Sequence, residues 1–266
     1  LNDHNISEYL AKIPERRQQR IAQLIRESGS VTVAALEAEF GISPATARRD
    51  LSVLEMRGKA KRTHGGAVLP GVAQHEDSFQ QRLGEAVEAK KRLARAAAKL
   101  LEVDETVFID SSTTVYYAAR RMLADAPNVT YLSNLVPVMD LFSTADTSSG
   151  TMVGLGGIFR PLTLSFVGPC TVRMIESYMA DKTFLSVKGI TADGLLTEPN
   201  PLEAEVKRVM IRRADSPVLL VDGRKFERRG ASVLAHVSEV SLVITTEAHQ
   251  SDVDSLLDLG VEVHNV

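Results

Sequence analysis

Gly41-Ile42-Ser43-Pro44-Ala45-Thr46-Ala47-Arg48-Arg49-Asp50-Leu51, followed by Arg62-Thr63-His64-Gly65-Gly66-Ala67, decides how the N-terminal part of this chain folds. Gly41 supplies a turn, where a left-handed backbone costs it little. Ser43 is a good helix N-cap, and Pro44 fits the first helical position, where its missing N–H is no loss. The spacing predicts a helix from Pro44 to Met56, with Leu51 and Leu54 toward the core and Thr46 and Arg49 on the outer face beside Ala45 and Arg48. Gly58 ends it. Lys59 to Arg62 and Ala67-Val68 then read as a two-stranded wing turning at Gly65-Gly66. A helix that enters the major groove N-terminus first presents its first two turns to bases and phosphates. Guanidinium suits that place, because it grips phosphate or reads guanine bidentately. Ser43, Ala45, Thr46, Arg48 and Arg49, with Lys61, Arg62 and His64 from the wing, form the candidate DNA-facing set. An isolated arginine pair is more often a solvated face; here the turn, the cap and the basic wing favour DNA. His64 reads either as a phosphate contact or as wing packing. Asp50 reads as structural, since phosphates would repel it.

Upstream, Pro14 opens a helix with Ile21, Leu24 and Ile25 on one face, and Ser28-Gly29-Ser30 stops it. Val31 and Val33 suggest a short extended segment, and a second helix runs from Ala34 to Phe40. The whole reads as a winged helix-turn-helix over residues 14–69, preceded by a tail at 1–13 without periodicity. Charge agrees. Residues 41–70 carry six basic groups against two acids, a net +4, while the whole chain is −3, leaving −7 elsewhere. A basic patch on an acidic protein is the footprint of a DNA-reading module joined to something that does other work.

The apolar fraction of 44% and charged fraction of 24% are those of a soluble globular protein. Cys170 is the only cysteine, which excludes an intrachain disulfide or a cysteine-rich zinc site and suits a reducing cytoplasm. No apolar run reaches the length of a membrane span, and no secretory signal pattern is visible. His4, His64, His75, His236, His249 and His264 are scattered without ligand spacing, so no metal and no cofactor is expected.

Residues 70–82 read as a linker and 83–266 as a second domain. A helix is expected from Leu83 to Leu101, then short apolar runs alternating with helical stretches. The strands expected are 106–109, 129–132, 152–153, 183–187, 218–221 and 240–244, with helices at 114–123 and 202–214. This alternation predicts an α/β fold with a mostly parallel sheet, whose ligands bind outside the carboxyl ends of its strands. Those ends carry Asp110-Ser111-Ser112-Thr113-Thr114, Ser133-Asn134, Gly154-Leu155-Gly156-Gly157 with Arg160, and Asp222-Gly223-Arg224-Lys225. Singly, each has a plainer reading: Ser-Ser-Thr-Thr as an N-cap, Gly-Leu-Gly-Gly as a turn. Together, hydroxyls, amides and cations at successive strand ends point to one pocket for a phosphorylated polyol or sugar.

Ser43, Thr46, Arg48-Arg49-Asp50-Leu51 and Arg62-Thr63-His64-Gly65-Gly66-Ala67 together resemble the N-terminal signature of the DeoR family of bacterial transcription regulators. Ala47 departs from it, standing where the family usually has Ile or Val; this implies looser helix packing without altering the DNA face. The similarity covers roughly residues 14–264. It implies a sensor domain like the sugar-phosphate isomerases, to which Asp110, Thr113-Thr114, Ser133-Asn134, Gly156-Gly157, Arg160, Gly168-Pro169, Ala180-Asp181-Lys182, Asp193-Gly194, Glu203, Lys207, Asp222 and Lys225 correspond. Ser112 stands where the family often has Gly. Lys188 stands where it usually has a small or acidic residue, and reads either as a surface charge or as the partner of a second anionic group on the effector.

The resemblance implies a repressor of a carbohydrate or polyol catabolic operon, released from operator DNA by a phosphorylated intermediate. A homodimer or homotetramer is expected, because one short helix reads too few bases alone. The alternative is an isomerase-like enzyme with an accessory DNA-binding module, using Asp110, Asp193, Asp222 and Lys225 as acid–base groups.

Overall fold

The structure, a computed structural model, describes residues 14–28, 30–63, 65–68, 77–125, 128–144, 150–226 and 228–266. The expected tail, most of the expected linker and His64 lie outside them. The chain divides into two compact units, with the boundary between Asp77 and Ser78.

In the first unit, α1 (Pro14–Ser28), α2 (Val33–Phe40) and α3 (Pro44–Met56) pack with a three-stranded antiparallel sheet. The strands β1 (Ser30–Thr32), β2 (Lys61–Thr63) and β3 (Gly66–Val68) lie in the order β1-β3-β2. Ile21, Ile25, Leu36, Phe40, Ala47, Leu51, Leu54, Ala60 and Ala67 form its core. Ser43 caps α3 by accepting from Thr46 N at 3.3 Å, and Gly41 turns the chain at φ 61°. Gly58, at φ 66°, ends α3 as expected. The Gly65-Gly66 pair divides its work: a Cβ on Gly65 would meet nothing, whereas one on Gly66 would lie 1.9 Å from Val31 O. Gly66 belongs to the central strand, where the neighbouring backbone needs its missing side chain. Ala47 is fully buried, so its small size concerns the core and not the outer face. Asp50 is structural: its carboxylate accepts from Arg17 Nε at 2.6 Å and Gln18 Nε2 at 2.9 Å, tying α3 to α1.

The second unit is built on a seven-stranded, all-parallel sheet. In chain order its strands are β4 (Thr106–Ile109), β5 (Val129–Ser133), β6 (Gly150–Gly154), β9 (Ala180–Leu185), β12 (Ala214–Asp222), β14 (Leu242–Thr246) and β15 (Glu262–Asn265). In space they lie β15-β14-β12-β9-β4-β5-β6. The chain therefore winds outward from β4 through β5 to β6, then returns to β9 on β4's other side and winds the opposite way. This reversal puts the topological switch point between β4 and β9, and the crevice at their carboxyl ends is where such sheets take ligands.

The helices are α4 (Phe79–Leu83), α5 (Val87–Ala98), α6 (Thr113–Asp125), α7 (Val136–Thr144), α8 (Pro169–Glu176), α9 (Pro201–Arg212) and α10 (Gln250–Asp258). A hairpin, β7 (Ile158–Arg160) with β8 (Ser165–Val167), stands apart from the main sheet. A small antiparallel sheet joins β10 (Gly189–Ile190), β11 (Leu195–Glu198) and β13 (Ser232–His236).

The helix expected over 83–101 is interrupted: Ala86 takes a left-handed backbone at φ 45° between α4 and α5. Residues 78–82, read as linker, belong to the second unit, because Ser78 and Gln81 form a capping box and Phe79 sits in the core. The strand expected at 183–187 ends at Leu185, where Ser186 N leaves the ladder for the Asp110 carboxylate.

Candidate functional site

On α3, Ala45, Arg48 and Arg49 are exposed and Thr46 is half-exposed, on the side opposite buried Ala47 and Asp50. Neither guanidinium is held by a carboxylate among the described residues. Ser43 is exposed but occupied, its hydroxyl shared with Thr46 N and, at 3.0 Å, Thr46 Oγ1. Arg62 is exposed and doubly engaged with α3: its N–H donates to Glu55 Oε1 at 2.8 Å and its Nη1 to Ser52 Oγ at 2.8 Å. It straps the wing to the helix, a role that charge alone did not reveal. Lys61 lies in β2, and His64 is outside the described residues.

In the second unit the polar clusters gather around the switch point, but most of them hold one another. Asp110, at the end of β4, accepts from Ser112 N at 2.9 Å and Ser112 Oγ at 2.6 Å. Its other oxygen accepts from Ser186 N, at the end of β9, and faces Lys207 Nζ, each at 3.0 Å. Lys207 also donates to Ser186 O at 2.6 Å and Glu198 Oε1 at 2.5 Å. An ammonium has three protons, so this lysine is saturated. Burial opposes its charge, but Asp110 and Glu198 outweigh that and hold its pKa well above the ordinary lysine value. Burial dominates at Glu198 and pushes its carboxyl up despite Lys207.

Glu203, on α9, is buried and takes four donors: Ser111 Oγ at 2.7 Å on Oε2, and on Oε1 Arg160 Nη1 at 2.9 Å, Thr163 Oγ1 at 2.8 Å and Ser165 Oγ at 2.6 Å. Burial alone would raise this carboxyl; the bonds from Ser165 and Ser111 and the charge of Arg160 hold it below the usual range. Charges removed from water need such partners. Asp110, Arg160, Glu203 and Lys207 are thus frame.

Several other residues named from the sequence are frame as well. Ser133 donates to Ile109 O at 2.9 Å and accepts from Leu135 N. Asn134 Nδ2 donates to Phe166 O at 2.7 Å. Gly156 O accepts from Thr171 Oγ1 at 2.9 Å, and a Cβ on Gly157 would lie 2.1 Å from that hydroxyl. Asp222 accepts from Arg224 N and from its guanidinium. Asp193 is not brought to this cluster. It lies exposed in the β10–β11 turn, accepting from Thr191 Oγ1 at 2.5 Å. Lys188 is half-buried just beyond β9, its backbone N–H on Thr197 O at 3.0 Å.

What remains available is a smaller set. Ser112 caps α6 through Val115 N at 3.1 Å, and the buried Thr113 and Thr114 follow, with no hydrogen bond from either hydroxyl among the described residues. Lys225, just past β12, has no carboxylate within ion-pair distance among the described residues. Its pKa is pushed down to about 8, by burial first and then by Arg82 and Arg228, against the pull of Asp222 and Glu198.

Lys90 was missed by the sequence reading. It is buried on α5, donates to Arg82 O, and lies 5.9 Å from the Tyr117 ring of α6. Burial, Lys225 and Arg224 push its pKa down to about 8. A signal was present: Lys90 shares the i, i+3, i+4, i+7 stripe with Leu93, Ala94 and Ala97, which is the buried face of that helix. Two lysines crowded by other cations and without a carboxylate of their own make an environment that favours an anion.

The comparisons with known proteins match this architecture. Residues 17–71 match the DeoR-like helix-turn-helix domain, and residues 85–247 the DeoR C terminal sensor domain. The uncharacterized HTH-type transcriptional regulator YulB of Bacillus subtilis is 33% identical over 93% of this chain and 95% of its own. The transcriptional repressor AccR of Agrobacterium fabrum is 31% identical over 90% and 92%. The L-fucose operon activator of Escherichia coli is 31% identical over 87% and 94%. Among solved structures, ribose 5-phosphate isomerase A of Methanocaldococcus jannaschii aligns at 14% identity and TM-score 0.38, over 53% of this chain and 54% of that one, too loosely to carry an argument. With a winged helix-turn-helix, a parallel α/β sensor domain and both family models matched in order along its length, the chain belongs to the DeoR family of transcription regulators.

Proposed function

We propose that the protein represses a carbohydrate or polyol operon and leaves its operator when a phosphorylated sugar or polyol docks at the switch point. The observation that carries this is the pair Lys90, on α5, and Lys225, just past β12, buried and half-buried with no carboxylate within ion-pair distance of either among the described residues. In this reading the phosphate sits between them and the start of α6, where the Thr113 and Thr114 hydroxyls and the free N–H groups of the helix end accept an anion. Asp110, Arg160, Glu203, Lys207, Ser133, Asn134, Gly156 and Gly157 shape the site. Lys188 meets a second anionic group on the effector.

α3 enters the major groove through Ala45, Thr46, Arg48 and Arg49, and Arg62 sets the wing against the flanking backbone. Two copies reading two half-sites supply the base pairs one helix lacks, so the working form is a homodimer or homotetramer in the cytoplasm, where its DNA is. Release then requires that the effector prefer one arrangement of the oligomer over another. No described helix is long and apolar enough to cross a membrane. An enzymatic reading loses support because Asp110 and Asp222 are loaded with donors and Asp193 stands apart.

The test is a mobility shift on the chain's own upstream DNA with a panel of sugar and polyol phosphates. One compound should release the wild type and fail to release Lys225→Ala, with DNA affinity unchanged. Release of both proteins alike would refute the site. Lys188→Ala should weaken the response only to effectors bearing a second anionic group.

A further inference from the structure

The β7–β8 hairpin is bonded to two of the segments that form the site. Ser165 and Phe166 meet the end of β5, through an isolated bridge from Leu135 to Ser165 and through Phe166 N to Asn134 O at 2.8 Å. Asn134 Nδ2 returns a bond to Phe166 O at 2.7 Å. The second tie is Glu203. One of its oxygens holds Ser111, in the loop that leads to Thr113 and Thr114; the other gathers Arg160, Thr163 and Ser165 from the hairpin.

The hairpin is also held at its turn and by its second strand: Leu162 O accepts from Phe79 N at 2.8 Å, Leu164 O from Val136 N at 2.9 Å, and Val167 is buried in the core. The hairpin is a two-stranded unit separate from the main sheet, and such ribbons are marginal by themselves. Leu164, in its turn, takes a left-handed backbone at φ 54°, a cost that the surrounding bonds must offset. Ile158 is 58% and Phe159 44% exposed, with Phe159 against Phe166 at 5.6 Å between ring centres. Glu203 holds the hairpin and the 110–114 loop at once, so a shift at that carboxylate is felt by both.

We propose that Glu203 is a positioning residue that couples the 110–114 loop to the β7–β8 hairpin, so that an anion at the start of α6 is read out as a tighter hairpin. The effector arm rests on the anion site argued above; the coupling itself is testable without ligand. An anion that orders Thr113 and Thr114 also fixes Ser111, which fixes the Oε2 side of Glu203 and with it the three hairpin donors on Oε1.

The test is amide hydrogen exchange on the full chain, comparing wild type, Ser111→Ala and Ser111→Thr. Losing a bond to a buried carboxylate should speed exchange at Arg160 and Phe166 by about tenfold, with β14 unchanged. Ser111→Thr, which keeps the hydroxyl, should restore wild-type rates. Unchanged hairpin exchange in Ser111→Ala would overturn the coupling, as would equal acceleration in β14. If Ser111→Ala does not fold, Ser165→Ala read at Val115 gives the same comparison in the other direction.

Inorganic phosphate is then added as the probe. Slowing at both Val115 and the hairpin in wild type, with the hairpin response lost in Ser111→Ala, is the expected result. Slowing at Val115 alone would refute the coupling. Slowing at neither would refute the anion site and the effector arm with it, while the ligand-free comparison still decides the coupling.

Discussion

Replacing Lys207 by methionine removes the one cation between two buried carboxylates. Its ammonium lies 2.5 Å from Glu198 and 3.0 Å from Asp110, and all three groups are essentially out of solvent. Removing one member of a buried ionic cluster costs about 3–5 kcal/mol, chiefly because a charge is left without compensation. The two carboxylates differ in how they bear the loss. Asp110 keeps three other donors, two from Ser112 and one from Ser186. Glu198 relies on Lys207, and burial already pushes its carboxyl up. In Lys207→Met it is Glu198 that must take up a proton.

Two consequences follow for the measurement. Glu198→Gln alone should be mild, about 1 kcal/mol or less, but it should recover about 1–2 kcal/mol in the Lys207→Met background. The sign of the pH dependence is also fixed. A carboxyl whose folded pKa lies above its unfolded value binds more protons when folded, so Lys207→Met should regain stability as pH falls through that folded pKa. Wild-type Lys207, raised in the folded state, contributes fully at all pH below the unfolded lysine value. The assay is urea unfolding followed by tyrosine emission. The chain has no tryptophan, and four of its five tyrosines, Tyr116, Tyr117, Tyr131 and Tyr178, lie in the second unit. A loss under about 1 kcal/mol in Lys207→Met, or a double variant no more stable than the single, would refute the arrangement.

Arg48→Ala and Arg49→Ala should each weaken operator binding about tenfold. A phosphate contact would show as a salt slope reduced by about 1, a base contact as a relaxed preference at one position; near-wild-type binding in both would refute the docking of α3. Gly66→Ala should destabilise the first unit by about 1–3 kcal/mol and weaken DNA binding, because its Cβ would meet Val31 O at 1.9 Å, whereas Gly65→Ala should change little; circular dichroism melts of the two variants make the comparison. Affinity for a phosphorylated effector, measured by calorimetry, should fall as pH rises above about 8, where Lys90 and Lys225 lose their protons. Between that value and the ordinary lysine value near 10.5, stability without ligand should rise with pH, since the unfolded chain there holds more protons than the folded one. A flat affinity profile from pH 7 to 9 would remove both lysines from the site.

The first unit was legible nearly residue by residue because its determinants are local. Gly41, Ser43, Pro44 and Gly58 fix α3 at Pro44–Met56 through cap and turn chemistry that neighbours in sequence supply. Even there, Arg62 reads from the sequence as one of the DNA-facing cations, and its bonds to Ser52 and Glu55 depend on the folded wing bringing them near. In the second unit the central strands announced themselves as apolar runs, but the short strands of the hairpin and the small sheet did not. Three-residue strands such as Ile158–Arg160 carry no periodicity to read, and their places are set by distant partners such as Glu203. The site shows the same limit more sharply. Strand ends could be searched for polar clusters, but a residue type does not say whether its charge is already answered. Asp110, Arg160 and the α9 pair Glu203 and Lys207 come from three separate segments and neutralise one another. Lys90, on a helix expected from the sequence without a role for this residue, lies on the apolar stripe that buries it. The distinction between frame and ligand-facing residues is therefore a property of pairing across the fold, and a lysine found at core spacing in a helix is the kind of local inconsistency from which a sequence reader can recover it.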